Sequence, residues 1–159
     1  MSGPVHFCAA IKASANPVQW YTLSPRFIDG DPDRGGWQAN RADLMAYNLP
    51  DSKNNYLGCS SFYPCDDGSF RARKTQFAAC HFLMLDDLGT KVPRESLDGF
   101  ELSWLIETSP GNHQGGIIFS EPITDGAAAT RLLNAIISAG FCDRGAKAFD
   151  PLGAVADGD

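Results

Sequence analysis

No window of this sequence approaches the ~18 consecutive apolar residues of a membrane-crossing helix, and its opening, MSGPVHFCAA, lacks the basic-then-apolar order of a secretory leader. The expectation is a soluble, cytoplasmic chain with no membrane partner. Cysteine pairs are also missing. The five cysteines, Cys8, Cys59, Cys65, Cys80 and Cys142, are odd in number, scattered and without a CxxC pair, which fits neither a secreted disulfide framework nor a standard zinc motif. Reduced structural thiols are expected. Zinc held by Cys59, Cys65, Cys80 and His81 stays open, although five residues separate the first two cysteines where about two to four is usual. Histidine is scarce, and His6, His81 and His113 make no closely spaced pair, which disfavours a rolling-circle relaxase. Positive charge is in deficit: 13 Lys and Arg against 19 Asp and Glu leave a net charge of −6. That argues against holding duplex DNA by broad phosphate neutralisation and leaves room for a local basic strip.

What is present suits one globular domain of 159 residues, 43% hydrophobic and 20% charged. PVHFCAAIK, residues 4–12, reads as a first strand. From Gln19 to Asp33, aromatics interleave with Pro25, Gly30 and Pro32, which predicts loops and short elements. WQANRADLMAYNLP, residues 37–50, predicts a short helix ended by Pro50. NNYLGCSSFYP and residues 78–87 read as the next strands. Residues 100–123 read as two more, folded over SPGN in a loop slightly wider than a tight hairpin because Pro-Gly favours type II. Their apolar residues fall on both alternating faces, which predicts an interior position covered on each side. Thr124 or Asp125 caps a helix whose Leu132, Leu133, Ile136 and Ile137 form one stripe before Gly140. The tail, residues 146–159, has no periodicity and is expected to be disordered or to mark a cut boundary. The fold class is α+β, mixed α/β: a mainly antiparallel sheet with covering helices.

Three clusters carry chemistry. HFLMLDDLGTKVP, residues 81–93, ends an apolar strand in Asp86 and Asp87. Carboxylates leaving a buried strand suit a hard cation such as Mg²⁺ or Mn²⁺. Successive strand residues face opposite ways, so both acids reach one ion only if the backbone turns there, and LGT supplies a turn. ETSPGNHQGG, residues 107–116, gathers Glu107, Ser109, Asn112, His113 and Gln114. Gly115 and Gly116 point to something packed closely on the backbone, a ligand or another chain segment. FCDRGAKAFDP offers Asp143 and Asp150. Upstream, SFRARKTQF puts Arg71, Arg73 and Lys74 just before the acids.

Taken together, the segments HFLMLDDLGTKVP, SWLIETSPGNHQGGIIFSEPI and LLNAIISAGFCDRGAKAFDP resemble the catalytic core of the archaeo-eukaryotic primase (primase-polymerase) superfamily. They are most similar to the RepB-like primase domain of plasmid and phage replication proteins, over about residues 54–151. The resemblance implies an RRM-like antiparallel sheet joined to an N-terminal α/β unit, and template-directed, metal-dependent nucleotidyl transfer that makes primers. It implies Asp86, Asp87 and Asp143 (Asp150 being the alternative third acid) as ligands of Mg²⁺ or Mn²⁺. Ser109 through His113 would meet the incoming nucleotide, with Asn112 among them and His113 catalytic. Arg71, Arg73 and Lys74 would contact triphosphate or template. The implied partners are a single-stranded DNA template, nucleoside triphosphates and a replicative helicase. Relatives continue past the third acid, so residues 1–159 would form one catalytic domain lacking its C-terminal segment. The other class is a non-catalytic primase-fold module that binds nucleic acid or a partner.

Overall fold

The computed structural model describes residues 20–27, 40–41, 53–69 and 73–143. Six strands, β1 (Trp20–Phe27), β2 (Asn40–Arg41), β3 (Lys53–Phe62), β4 (Phe77–Leu88), β5 (Trp104–Ser109) and β6 (Asn112–Ile123), are followed by one helix, α1 (Gly126–Ser138). The sheet runs in the order β2-β1-β3-β4-β6-β5, and each of these pairings is antiparallel. The class is therefore mixed α+β. Among the described residues no helix is long and apolar enough to cross a membrane. The expected strand over residues 4–12 and the tail 146–159 lie outside the described residues. The helix expected over residues 37–50 does not run through Asn40–Arg41, which pair with β1 as a strand.

β4 is the spine. Residues Ala78–Leu85 are all buried, because β3 and β6 flank the strand and side chains cover both of its faces. On one face Phe82 and Met84 meet Trp104 and Ile118; on the other Leu83, Leu85 and Leu88 join Val92, Leu97 and Leu133. α1 closes the core through Ala129 and Leu133, with Ile136 and Ile137 partly buried. Its N-terminus is capped by Asp125, whose carboxylate accepts from the amides of Ala127 (2.9 Å) and Ala128 (3.2 Å). Gly140, at φ 80°, ends it.

The β5–β6 pair differs from its expectation. β6 is interior, but β5 is the sheet's edge, with Leu105 42% and Ile106 57% exposed. Apolar residues on both faces of a strand do not by themselves bring cover. The connection is also tighter than expected: Ser109 pairs with Asn112, leaving a two-residue loop of Pro110 and Gly111. Gly111 takes φ 76°, as the third position of a type II turn requires. Such a turn twists against its strands, and the misfit is taken up by a register shift between Glu107 and Ser109.

The β6 glycines serve packing within the chain. A Cβ on Gly116 would lie 2.5 Å from the Trp104 indole, and one on Gly115 would crowd Leu102 and Leu88 at 3.1 and 3.2 Å. The indole sits over Gly116 and meets Phe82 edge-on, ring centroids 6.4 Å apart. The close neighbour expected there is thus another chain segment.

Candidate functional site

Asp86 and Asp87 leave the core where β4 ends. Asp87 has φ 57°, the one non-glycine residue with positive φ among the described residues, so the backbone turns between the two acids as a shared site demands. The turn is closed by backbone bonds from Gly89 N to Val92 O (2.7 Å) and from Val92 N to Asp87 O (3.0 Å). Gly89 itself, at φ 90°, lies so near the hairpin that a Cβ on it would sit 2.5 Å from the Gly111 carbonyl oxygen. This contact joins the acidic turn to the β5–β6 hairpin.

The hairpin then reaches the acids through amides. Asn112 Nδ2 donates to Asp87 Oδ1 (3.2 Å) and Gln114 Nε2 donates to Asp86 Oδ1 (3.0 Å), which also accepts from the Asp87 amide (2.9 Å). Thr90 donates to Asn112 Oδ1 (2.7 Å) and Asn112 Nδ2 to Thr108 Oγ1 (3.3 Å). Glu107 Oε1 accepts from Gly111 N (2.9 Å) and so braces the turn. His113 stands between Asn112 and Gln114 in sequence and therefore on the opposite face of the strand, paired with Leu88 and Glu107. There its Nδ1 is buried without a hydrogen-bond partner, near the space a Gly89 Cβ would fill. The residues aimed at the acids are its two neighbours. Ser109 is exposed at the end of β5, and it is the adjacent Thr108 hydroxyl that reaches Asn112.

The third acid arrives after α1. Phe141 N bonds to Ile136 O, and the buried Cys142 Sγ accepts from the Asp86 amide (3.2 Å) while facing the Met84 carbonyl oxygen (3.8 Å). Asp143 is thereby held beside β4. Lys91 bridges it to Asp87: its Nζ lies 2.7 Å from Asp87 Oδ2 and 3.2 Å from Asp143 Oδ2. Donation to Asp87, then to Asp143, raises the Lys91 pKa above its ordinary value. Among the described residues no three His, Cys, Asp or Glu side chains form a group able to hold a metal ion by themselves. The two carboxylates do, however, already share one cationic centre, and their oxygens are the donors that Mg²⁺ and Mn²⁺ prefer. Asp150 and Arg71 lie outside the described residues.

The basic strip does not join this cluster. Arg73 and Lys74 are exposed at the start of β4, whereas the acids leave its other end, about 30 Å away at ~3.3 Å per strand residue. One triphosphate does not span that distance. Among the described residues, Cys59, Cys65, Cys80 and His81 form no group around zinc either. Cys80 faces Cys59, and that hydrogen bond, then burial, pushes its thiol well above the ordinary range. His81 Nε2 is engaged by Ser61 Oγ at 2.7 Å.

Residue types in their motifs pointed to the acids and to Asn112. Lys91 escaped notice, although DDLGTK places it four residues past Asp87 across a glycine turn. Gln114 and Thr90 were equally legible only once the turn and the hairpin were known to touch. The chain matches no protein-family model, no curated protein and no solved structure.

Proposed function

We propose that this chain is a primase-type nucleotidyl-transfer core acting in plasmid or phage DNA replication, on an RRM-like sheet. The observation that carries the reading is the meeting of Asp87 and Asp143, from two distant stretches of sequence, on Lys91 at one end of the central strand, with Asp86 next to Asp87. The run β4-β5-β6-α1, with β6 between the other two strands, supports the RRM-like part. It follows the first five elements of a split β-α-β-β-α-β order, with the short 3-10 turn Arg94–Leu97 in the place of the first helix.

In this reading Asp86, Asp87 and Asp143 hold Mg²⁺ or Mn²⁺, which when bound stabilises the attacking and leaving oxygens of an in-line displacement at a nucleotide α-phosphate. The chain's own residues prepare the site. Gln114 and Asn112 fix the orientation of the two adjacent carboxylates. The Gly89–Gly111 contact keeps the hairpin against them. Lys91 supplies positive charge beside them for a triphosphate. Arg73 and Lys74, too distant for that triphosphate, suit the backbone of a single-stranded DNA template running along the sheet. A replicative helicase is the natural partner, and the cytoplasm the compartment.

Incubation with single-stranded template, nucleoside triphosphates and Mn²⁺ or Mg²⁺ is expected to yield primers, and Asp86→Ala or Asp87→Ala to abolish them. No primers, or synthesis indifferent to both substitutions, sinks the reading. A second reading, a non-catalytic module of the same fold that binds nucleic acid or a partner, is favoured by Lys91, which already pairs with both Asp87 and Asp143. It gives binding to single-stranded DNA without synthesis.

A further inference from the structure

Lys91 holds the place between Asp87 and Asp143, yet the turn that carries it closes without its side chain. Its side chain is 63% exposed. The turn that carries it is closed by the backbone bonds of Gly89, Val92 and Asp87. Asp87 is separately oriented by Asn112, and Asp143 follows Cys142, which is anchored on the Asp86 amide. The Asp87 carboxylate and the backbone before Asp143 are therefore set in place by groups other than the lysine, and a cation between the two carboxylates lowers their mutual repulsion. An exposed ion pair of this kind contributes little, and a compact ammonium on a four-carbon stem leaves easily.

We infer that Lys91 is a tethered counter-ion that competes with a divalent cation for Asp87 and Asp143, and so sets the metal concentration at which the site fills. The inference rests on the metal-binding part of the proposed function and adds to it a built-in threshold. When the divalent ion enters, Lys91 swings into solvent and stays within reach of anionic groups brought to the site.

The test is Mn²⁺ binding to the full chain, followed by the electron paramagnetic resonance of free Mn²⁺ and by calorimetry, in the wild type, Lys91→Met and Lys91→Arg. Lys91→Met is expected to bind Mn²⁺ roughly tenfold more tightly, with Lys91→Arg close to the wild type. Thermal unfolding in chelator supplies a second readout. Lys91→Met should unfold at a lower temperature than the wild type without metal, and should gain more on Mn²⁺ addition. Asp87→Ala should bind no more tightly with the lysine removed than with it present. Equal or weaker Mn²⁺ binding by Lys91→Met overturns the inference while leaving the nucleotidyl-transfer reading standing. Lys91-dependent Mn²⁺ binding without primer synthesis does the reverse. No Mn²⁺ binding by any variant overturns the inference together with the metal ligands on which it rests.

Discussion

β4 and β5 are alike in sequence and opposite in fate. Both carry apolar side chains at successive positions, Phe82-Leu83-Met84-Leu85 in one and Trp104-Leu105-Ile106 in the other. The first run is buried throughout, whereas Leu105 and Ile106 are exposed. The difference is position in the sheet. β4 has strands on both sides, while β5 has only β6. Only Trp104 of the edge strand finds cover, through the space above Gly116. Apolar content therefore states what a strand is able to bury, and sheet order decides what it does bury.

The contrast is broken most severely at Leu85, which is 1% exposed. Leu85→Ala should cost about 2–5 kcal/mol in denaturant unfolding, and a loss under ~1 kcal/mol would mean that β4 is not the core strand. Next comes His81, the one ionisable ring inside that strand. Burial lowers its pKa from 6.5 to about 4, so as pH falls below 6.5 the unfolded chain takes up a proton that the folded chain refuses. Stability should fall by about 3 kcal/mol between pH 6.5 and 4 and level off below, since a pKa unit is worth ~1.4 kcal/mol. His81→Gln, compared with the wild type across that range, should flatten this part of the profile. A wild-type profile already flat there would place a charged or solvated imidazole in β4. The smallest effect belongs to the edge: Ile106→Thr should change stability by no more than about 0.5 kcal/mol. A loss comparable to that of Leu85→Ala would show β5 to be covered in solution.

Much of this architecture was legible beforehand. Residues 78–87 read as a strand, and Phe77–Leu88 is one; Asp125 and Gly140 bracket the helix as a cap and a stop should. These are local signals, written in spacing and in single residues. The exposure of β5 was not legible, because periodicity records how side chains are spaced and not what lies opposite them. The facing of His113 was not legible for a related reason. Which of Asn112, His113 and Gln114 faces the acids depends on the residue at which β6 leaves its turn, and a shift of one residue reverses the answer. The strand at Trp20–Phe27 was obscured by Pro25 among its aromatics. The glycines of β6 correctly announced a close neighbour, but only the fold identifies it as the Trp104 indole. The turn expected from LGT is present, with Asp87 itself in the left-handed region where the chain reverses.

Cys142 gives the acidic end a clock. Its thiol, held above the ordinary pKa chiefly by burial, lies against the amide of Asp86 and reacts with an alkylating reagent only when residues 141–143 lift away from β4. At reagent concentrations where alkylation outpaces reclosing, the rate at which that sulfur is consumed is the opening rate of the segment carrying Asp143, measured at the joint that holds it beside β4.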